Sequence, residues 1–156
     1  MDSYERSVDL LRLCRSHHKL SFTMMRKNGL TAGLPPILDY LHDHNGCIQN
    51  ELSRNCHLEP ATITSILTTM ERDGLIERRA DPSDRRVWQI HMTETGLDAY
   101  ETLRRTSALI GDICFQGFSP EESDVALAIL AKMTRNIHEA LGTESDCCEE
   151  KKDNHD

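Results

Sequence analysis

The residue types in this chain that could do chemistry are arginines and small hydroxyl side chains. Five arginines flank the turn-forming stretch Asp-Pro-Ser-Asp at residues 81–84: Arg72, Arg78, Arg79, Arg85 and Arg86. A preceding run with helical periodicity places small or hydroxyl side chains opposite its apolar side: Ala61, Thr64, Ser65 and Thr68. Guanidinium groups neutralise phosphates and enter narrow minor grooves, and hydroxyl groups bond to base edges. The pattern therefore indicates a surface for duplex DNA.

The sequence carries no recognisable catalytic or metal-binding motif. It has no G-x-S-x-G, phosphate loop or HExxH, so we expect neither an enzyme nor a bound cofactor. Residues of metal-ligand type do lie close together in the chain: His42, His44, Cys47, Glu51, Cys56 and His57. Their spacings match no zinc signature, and Cys47 and Cys56 flank a short predicted helix at about 13 Å from each other. We therefore expect no metal site.

The six cysteines form no C-x-x-C pair and are expected to be free thiols in a reducing compartment. Cys14 and Cys114 fall on apolar helical stripes, which favours burial as small hydrophobic side chains. The alternative is an oxidation-sensing thiol, for which His17 and His18 are the nearby groups that could lower the pKa of Cys14. The Cys147-Cys148 pair, with His155, could bind a soft metal or oxidise with a partner, but we expect this C-terminal stretch to be an unstructured polar extension.

Charge is unevenly distributed over the 156 residues, which have a formal net charge of −8. Half of it lies in residues 143–156, a stretch without apolar periodicity that we expect to be a disordered acidic tail. The rest, residues 1–142, has the length of one domain. Neither a secretory signal nor an apolar run long enough to cross a bilayer is present, so we expect a cytoplasmic protein without membrane contact.

Apolar spacing predicts a mainly α-helical chain with one small β-hairpin. Trp88, Ile90 and Met92 alternate on one face of the second strand, and we expect this face to cover the helical core. Thr31 is the predicted N-cap of the second helix. The predicted helices are 5–27, 31–44, 48–55, 60–73, about 93–117 and 119–141, and the strands are 75–79 and 87–92. A helix-turn-helix followed directly by a hairpin is the winged-helix arrangement.

Several segments in this order resemble the multiple-antibiotic-resistance regulator (MarR) family. They are LTAGLPPIL (30–38), EL (51–52), PATIT (60–64), MERDGLIER (70–78), DPSDRR (81–86) and MTETG (92–96). The resemblance extends over residues 5 to about 141. It implies a winged helix-turn-helix over about 31–93, a long linking helix over about 93–117, and dimerisation helices over about 5–27 and 119–141.

The resemblance also implies a function and roles for single residues. A homodimer would bind a pseudo-palindromic DNA operator, usually as a repressor, and a small-molecule effector would release or modulate it. The family's Asp-x-Arg of the wing corresponds to Asp84 and Arg86, with Arg86 entering the minor groove and Asp84 orienting it. The recognition-helix positions correspond to Ala61, Thr62, Thr64 and Ser65.

Two positions depart from the family pattern. Thr68 and Thr69 stand where the family often has basic residues, which predicts a modest salt dependence of DNA binding. Leu34 stands where the family often has Gln, near the crevice for the effector. Two alternatives therefore remain: a cysteine- or metal-sensing repressor of the same fold, and a helical interaction module that does not bind DNA.

Overall fold

The computed structural model describes residues 2–31, 33–84 and 86–142. Contacts divide the chain into two compact units, one ending at Ile113 and one beginning at Cys114. The elements are α1 (Ser3–Lys27), α2 (Leu34–Asp43), β1 (Cys47–Ile48), α3 (Gln49–Asn55), α4 (Pro60–Arg72), β2 (Ile76–Ala80), β3 (Trp88–Met92), α5 (Glu94–Cys114) and α6 (Pro120–Leu141). This order confirms the predicted mainly helical winged helix-turn-helix. The predicted tail lies outside the described residues, and a single domain over 1–142 stays a prediction.

The core of the first unit is formed by α2, α3 and α4 against the sheet and α5. Its side chains are almost entirely aliphatic, and each contributes about 1.5–3 kcal/mol by leaving water. Those with no exposed surface are Ile37, Leu38, Leu41, Leu52, Ile63, Leu67 and Met70. Because α4 buries only one side of its surface, its other side remains available to a partner.

The sheet has three antiparallel strands in the order β1-β3-β2, one more than the predicted hairpin. In the additional pairing, Cys47 lies opposite Ile90. The turn before β1 is held to β3 by two bonds: the Gly46 backbone N–H donates to the Ile90 carbonyl at 2.9 Å, and the Asn45 side-chain oxygen accepts from the Met92 N–H at 2.8 Å. A two-residue strand is too short to show alternation, so the sequence pattern did not reveal it.

The start of α2 differs from the prediction, which placed Thr31 at the N-cap. The helix begins at Leu34, and its N-cap is Gly33 with a left-handed backbone (φ 87°). A Cβ added at Gly33 would lie 2.5 Å from Ile66 Cδ1, so a close approach as well as the backbone conformation favours glycine here. Pro35 and Pro36 occupy the first turn, as predicted.

The predicted burial of β3 is correct for two of its three apolar side chains. Ile90 and Met92 are buried, but Trp88 is 53% exposed. Trp88 pairs with Ala80 at the outer end of the hairpin, beyond the helices that cover Ile90. The alternation of apolar residues along a strand predicts which face of the sheet a side chain lies on. It does not predict how far the core extends beneath that face, which is why the exposure of Trp88 was not predicted.

Two contacts join α5 to the rest of the first unit. The rings of His42 and buried Tyr100 stack with centroids 4.0 Å apart. The Asn28 side-chain amide, just past the end of α1, donates to the Thr106 hydroxyl at 3.1 Å. The end of α1 and helix α2 are therefore both fastened to one long helix.

Helices α1 and α6 each lack a buried residue among those that the structure describes. Both nevertheless carry large apolar side chains, among them Leu11, Phe22, Leu127 and Ile137, which are 44–54% exposed. In the second unit, Ser119 and Glu122 form the predicted capping box at the start of α6. Across the described ranges, every helix is too short or too polar to pass through a bilayer.

Candidate nucleic-acid interface

The turn between α3 and α4 sets the angle at which α4 is presented. His57 has a positive φ of 50°, and the Ser53 hydroxyl donates to the Leu58 carbonyl at 2.7 Å. Pro60 then opens α4 at a position that proline tolerates. All the side chains that the sequence assigned to DNA on this helix are exposed: Ala61, Thr62, Thr64, Ser65, Thr68 and Arg72.

Hydroxyl groups on α4 are partly engaged by the helix itself. Thr64 Oγ1 donates to the Pro60 carbonyl and Thr68 Oγ1 to the Thr64 carbonyl, each at 2.8 Å. The side-chain amide of Gln49, at the start of α3, donates to Thr64 Oγ1 at 2.8 Å. With their hydrogens directed to the backbone, these threonines offer methyl groups and oxygen lone pairs. Gln49 was missed in the sequence because it is distant from α4 along the chain.

The tip of the β2–β3 hairpin is organised by Asp81. Its carboxylate accepts from the backbone N–H groups of Ser83 and Asp84 at 2.7 and 3.2 Å, from the Ser83 hydroxyl, and from the Gln89 side chain at 2.8 Å. These bonds, that from the Ser83 hydroxyl above all, lower the pKa of Asp81 below its ordinary value. At neutral pH the Asp81 carboxylate is therefore ionised and holds the turn through these bonds.

Asp84 and Arg86 are joined as the Asp-x-Arg pattern predicts. One Asp84 oxygen accepts from the backbone N–H and from Nε of Arg86 at 3.0 and 3.1 Å. The guanidinium bond lowers the pKa of Asp84. The Arg86 side chain is 92% exposed, and its guanidinium is held at two points, because one terminal nitrogen also donates to the second Asp84 oxygen at 3.4 Å. Because these bonds stabilise only the ionised carboxylate, the contact between Asp84 and Arg86 is complete at neutral pH and is lost when acid protonates Asp84.

The other arginines of this region are paired with acids close to them. Arg72 contacts Asp73 at 2.9 Å, Arg78 contacts Glu71 at 3.2 Å across the junction of β2 with α4, and Arg79 contacts Glu77. Residues 60–92 contain five arginines and five acids, so this segment is neutral within a chain of net charge −8. Exposed pairs are weak and an arginine can exchange its carboxylate for a phosphate. Arg85 lies outside the described residues.

The cysteines are not arranged as the sequence suggested. Cys14 and Cys114, expected to be buried, are exposed, whereas Cys47 is buried and Cys56 is half-buried. An apolar stripe marks a helix face that needs a partner, and in the isolated chain that partner is absent for these two residues. In the described segments, no group of three or more potential ligands could hold a metal ion.

The two inner thiols are expected to be unreactive. Burial raises the pKa of both Cys47 and Cys56 to about 11, so about one thiol in a thousand is ionised at pH 8. In a chain kept monomeric by Leu11→Glu and carrying Cys147→Ser and Cys148→Ser, we expect a maleimide to modify Cys14 and Cys114 well before the inner pair, as followed by peptide mass spectrometry. Equal labelling of all four thiols would contradict the burial described here.

Comparisons with known proteins bear on this geometry. A sequence model of the MarR family matches residues 30–88, from just before α2 to the first residue of β3. An uncharacterized HTH-type transcriptional regulator of Bacillus subtilis, YwhA, is 30% identical over 99 residues, which span 64% of this chain and 71% of that relative. The chain belongs to the MarR family. As a member, it is a DNA-binding transcriptional regulator, and the relatives it matches are named as transcriptional regulators rather than enzymes.

Solved structures of MarR-family proteins show the same fold. A MarR transcriptional regulator from Methanosarcina mazei superposes with a TM-score of 0.75 at 19% identity, over 90% of this chain and 94% of that one. A variant of MepR from S. aureus, bound to an oligodeoxyribonucleotide, superposes with a TM-score of 0.60 at 22% identity, over 88% of this chain and 99% of that one. The winged-helix region is thus shared despite low identity.

Proposed function

We propose that this MarR-family protein is a homodimeric repressor of transcription that binds a pseudo-palindromic operator. In each subunit, α4 lies in the major groove and the β2–β3 hairpin reaches the neighbouring minor groove. The observation that carries the proposal is the pairing of an exposed, hydroxyl-rich side of α4 with an outward, anchored Arg86 on the adjoining hairpin. A helix for the major groove and a hairpin for the adjoining minor groove are the two parts with which a winged helix-turn-helix would hold a duplex.

The residues divide into three roles on the duplex. Side chains of α4 read base edges in the major groove: Ala61, Thr62, Thr64, Ser65 and Thr68. Arg86 enters the minor groove while Asp84 holds its base in place. The remaining arginines contact phosphates: Arg72, Arg78, Arg79 and Arg85. For the first three, the phosphate replaces a carboxylate partner. Because most of these cations are internally paired, we expect a modest dependence of affinity on salt.

The dimer is proposed from α1 and α6, two long helices in which the structure describes no fully buried residue. A helix of more than 20 residues with an exposed apolar stripe is unstable in water without a partner. Leu11 and Phe22 on α1, and Leu127 and Ile137 on α6, supply such stripes. Covering them with the same helices of a second subunit would remove this surface and present two winged regions to successive major grooves.

Dimer formation is tested by placing a charge on the α1 stripe. We expect Leu11→Glu to weaken association at least about a hundredfold, because a carboxylate would be buried without a partner. Light scattering after size exclusion should then show the mass of one chain instead of two. The matched control is Ser16→Glu, which adds the same charge at an exposed polar position of α1. A dimer that survives Leu11→Glu, or a monomeric native protein, would contradict the proposed assembly.

An effector site is proposed between α2 and α5 in the first unit. A hollow of about 420 Å³ is present there, lined by Pro35, Pro36, Asp39, Leu103, Arg104 and Ser107. It offers one carboxylate, one guanidinium and apolar walls to a small organic molecule. The dimer would exist with a spacing of its two DNA-binding regions that fits the operator and with another spacing that does not. A ligand that binds one of these two states more tightly would shift the dimer toward it, and operator affinity would change by the difference between the ligand's affinities for the two states.

The direct test is a titration of a fluorescein-labelled duplex that carries the DNA upstream of the protein's own gene. Anisotropy should report binding that weakens between about 50 and 200 mM salt, and a scrambled duplex of the same composition should bind more weakly. Absence of salt-dependent binding to either duplex would contradict the proposal and favour the helical interaction module.

A further inference from the structure

The exposed indole of Trp88 is a large apolar group on a hairpin that is otherwise polar at its outer end. Residues that pair across β2 and β3 point to the same side of the sheet, so Trp88 shares its face with Ala80, Arg78, Ile90 and their inner neighbours. Along this face burial ends abruptly, since Ile90 is 1% exposed and Trp88 is 53% exposed. The opposing Ala80 is too small to cover the ring.

Arg78 shows which way this face is turned. It lies on the same side of the sheet as Trp88, and its Nε is 3.2 Å from a carboxylate oxygen of Glu71 in the last turn of α4. The face that carries Trp88 is therefore turned toward α4, and Trp88 stands outward of Arg78 along it. Arg86 lies two residues further toward the tip, in the turn before β3, and so its Cα is at most about 7 Å from that of Trp88.

If α4 occupies the major groove and Arg86 the neighbouring minor groove, the DNA strand that separates the two grooves passes between them, beside Trp88. We propose, resting on the function proposed above, that Trp88 is a positioning residue that packs on a deoxyribose of that strand and donates its Nε1–H to a phosphate oxygen. An indole combines a flat apolar surface with one donor, which suits a sugar-phosphate edge. The contact carries no charge and reads no base, so it sets the depth of the hairpin rather than the sequence bound.

Trp88 is the only tryptophan of the chain, so its emission reports on this contact without a label. Addition of a duplex containing the upstream DNA should change the intensity and wavelength of that emission, in step with the anisotropy of the labelled duplex. The same change should appear, at higher concentrations, with a scrambled duplex. We expect Trp88→Ala to weaken both complexes about tenfold per subunit, the scale of losing one aromatic contact.

Trp88→Ala should leave the slope of log affinity against log salt unchanged, because no cation is lost. Trp88→Phe should recover part of the affinity, since it keeps a ring and loses the donor. Tyr4→Ala, which removes an aromatic side chain that is 73% exposed on α1, serves as the control and should bind as the wild type does.

Three results would overturn the proposal. An emission that stays constant while anisotropy shows saturated DNA would place Trp88 away from the duplex and leave the proposed function standing. An emission that changes with protein concentration alone would assign the indole to a contact between subunits. A wild-type protein that binds neither duplex would end both proposals together.

Discussion

Replacing Arg86 with alanine is expected to weaken operator binding by about 1–3 kcal/mol per subunit without loss of folding. The side chain is 92% exposed and bonds only within the hairpin tip, so its removal leaves the core untouched. The freed Asp84 carboxylate would then face the phosphates without its cation, which adds repulsion to the lost contact. Because each subunit loses one positive charge, the salt slope of a dimer should fall by about two.

Arg12→Ala is a closely matched control for Arg86→Ala. Arg12 is also exposed, and it lies 3.1 Å from Asp9, the same distance that separates Arg86 from Asp84. The two variants therefore remove equal charge and an equivalent ion pair from different surfaces. A loss of affinity in both would indicate a general charge effect, and wild-type affinity in Arg86→Ala would remove this arginine from the interface.

Replacing Gly96 with alanine is expected to destabilise the fold by about 2–3 kcal/mol, the upper part of the range for overpacked sites. A Cβ at this position would lie 2.1 Å from the Leu75 carbonyl oxygen and 2.6 Å from Met92 Cγ. The Leu75 oxygen cannot move freely, since it accepts the Thr93 backbone N–H at 3.1 Å. The first turn of α5 would have to shift away from the start of β2.

Gly111→Ala provides the opposite expectation on the same helix. Apart from the nearby backbone of the helix itself, no described atom lies within 4 Å of a Cβ built at Gly111, so alanine should stabilise α5 by about 0.5–1 kcal/mol through its helix propensity. Urea unfolding at one fixed protein concentration measures both variants, because the stability of a dimer depends on concentration. Equal effects of the two substitutions would contradict the close approach at Gly96.

The sequence predicted the features of the winged region that depend on local pattern. Pro60 at the start of α4 and the apolar spacing along it placed its buried and exposed sides correctly. The Asp84–Arg86 contact was also predictable, because a single residue separates the partners and the family resemblance assigns the pair. Such features depend on residues that lie close together in the sequence.

What the sequence did not reveal depends on contacts between distant residues. The two-residue strand at Cys47 exists because β3 offers it bonding partners, and Gly33 precedes α2 as its N-cap because the chain takes a left-handed backbone conformation there. Gln49 reaches Thr64 only after the turn between α3 and α4 has formed. Trp88 lies on the predicted face of the sheet but beyond the core, because the helices that cover Ile90 do not extend as far as Trp88.

The central claim, that each subunit occupies a major and an adjacent minor groove, is tested most directly by dimethyl sulfate footprinting of the saturated complex. The reagent methylates guanine N7 in the major groove and adenine N3 in the minor groove. We predict protection of guanine N7 in two segments about one helical turn apart, flanked by protected adenine N3 that becomes reactive with Arg86→Ala. Unchanged methylation in either groove at saturation would contradict the account.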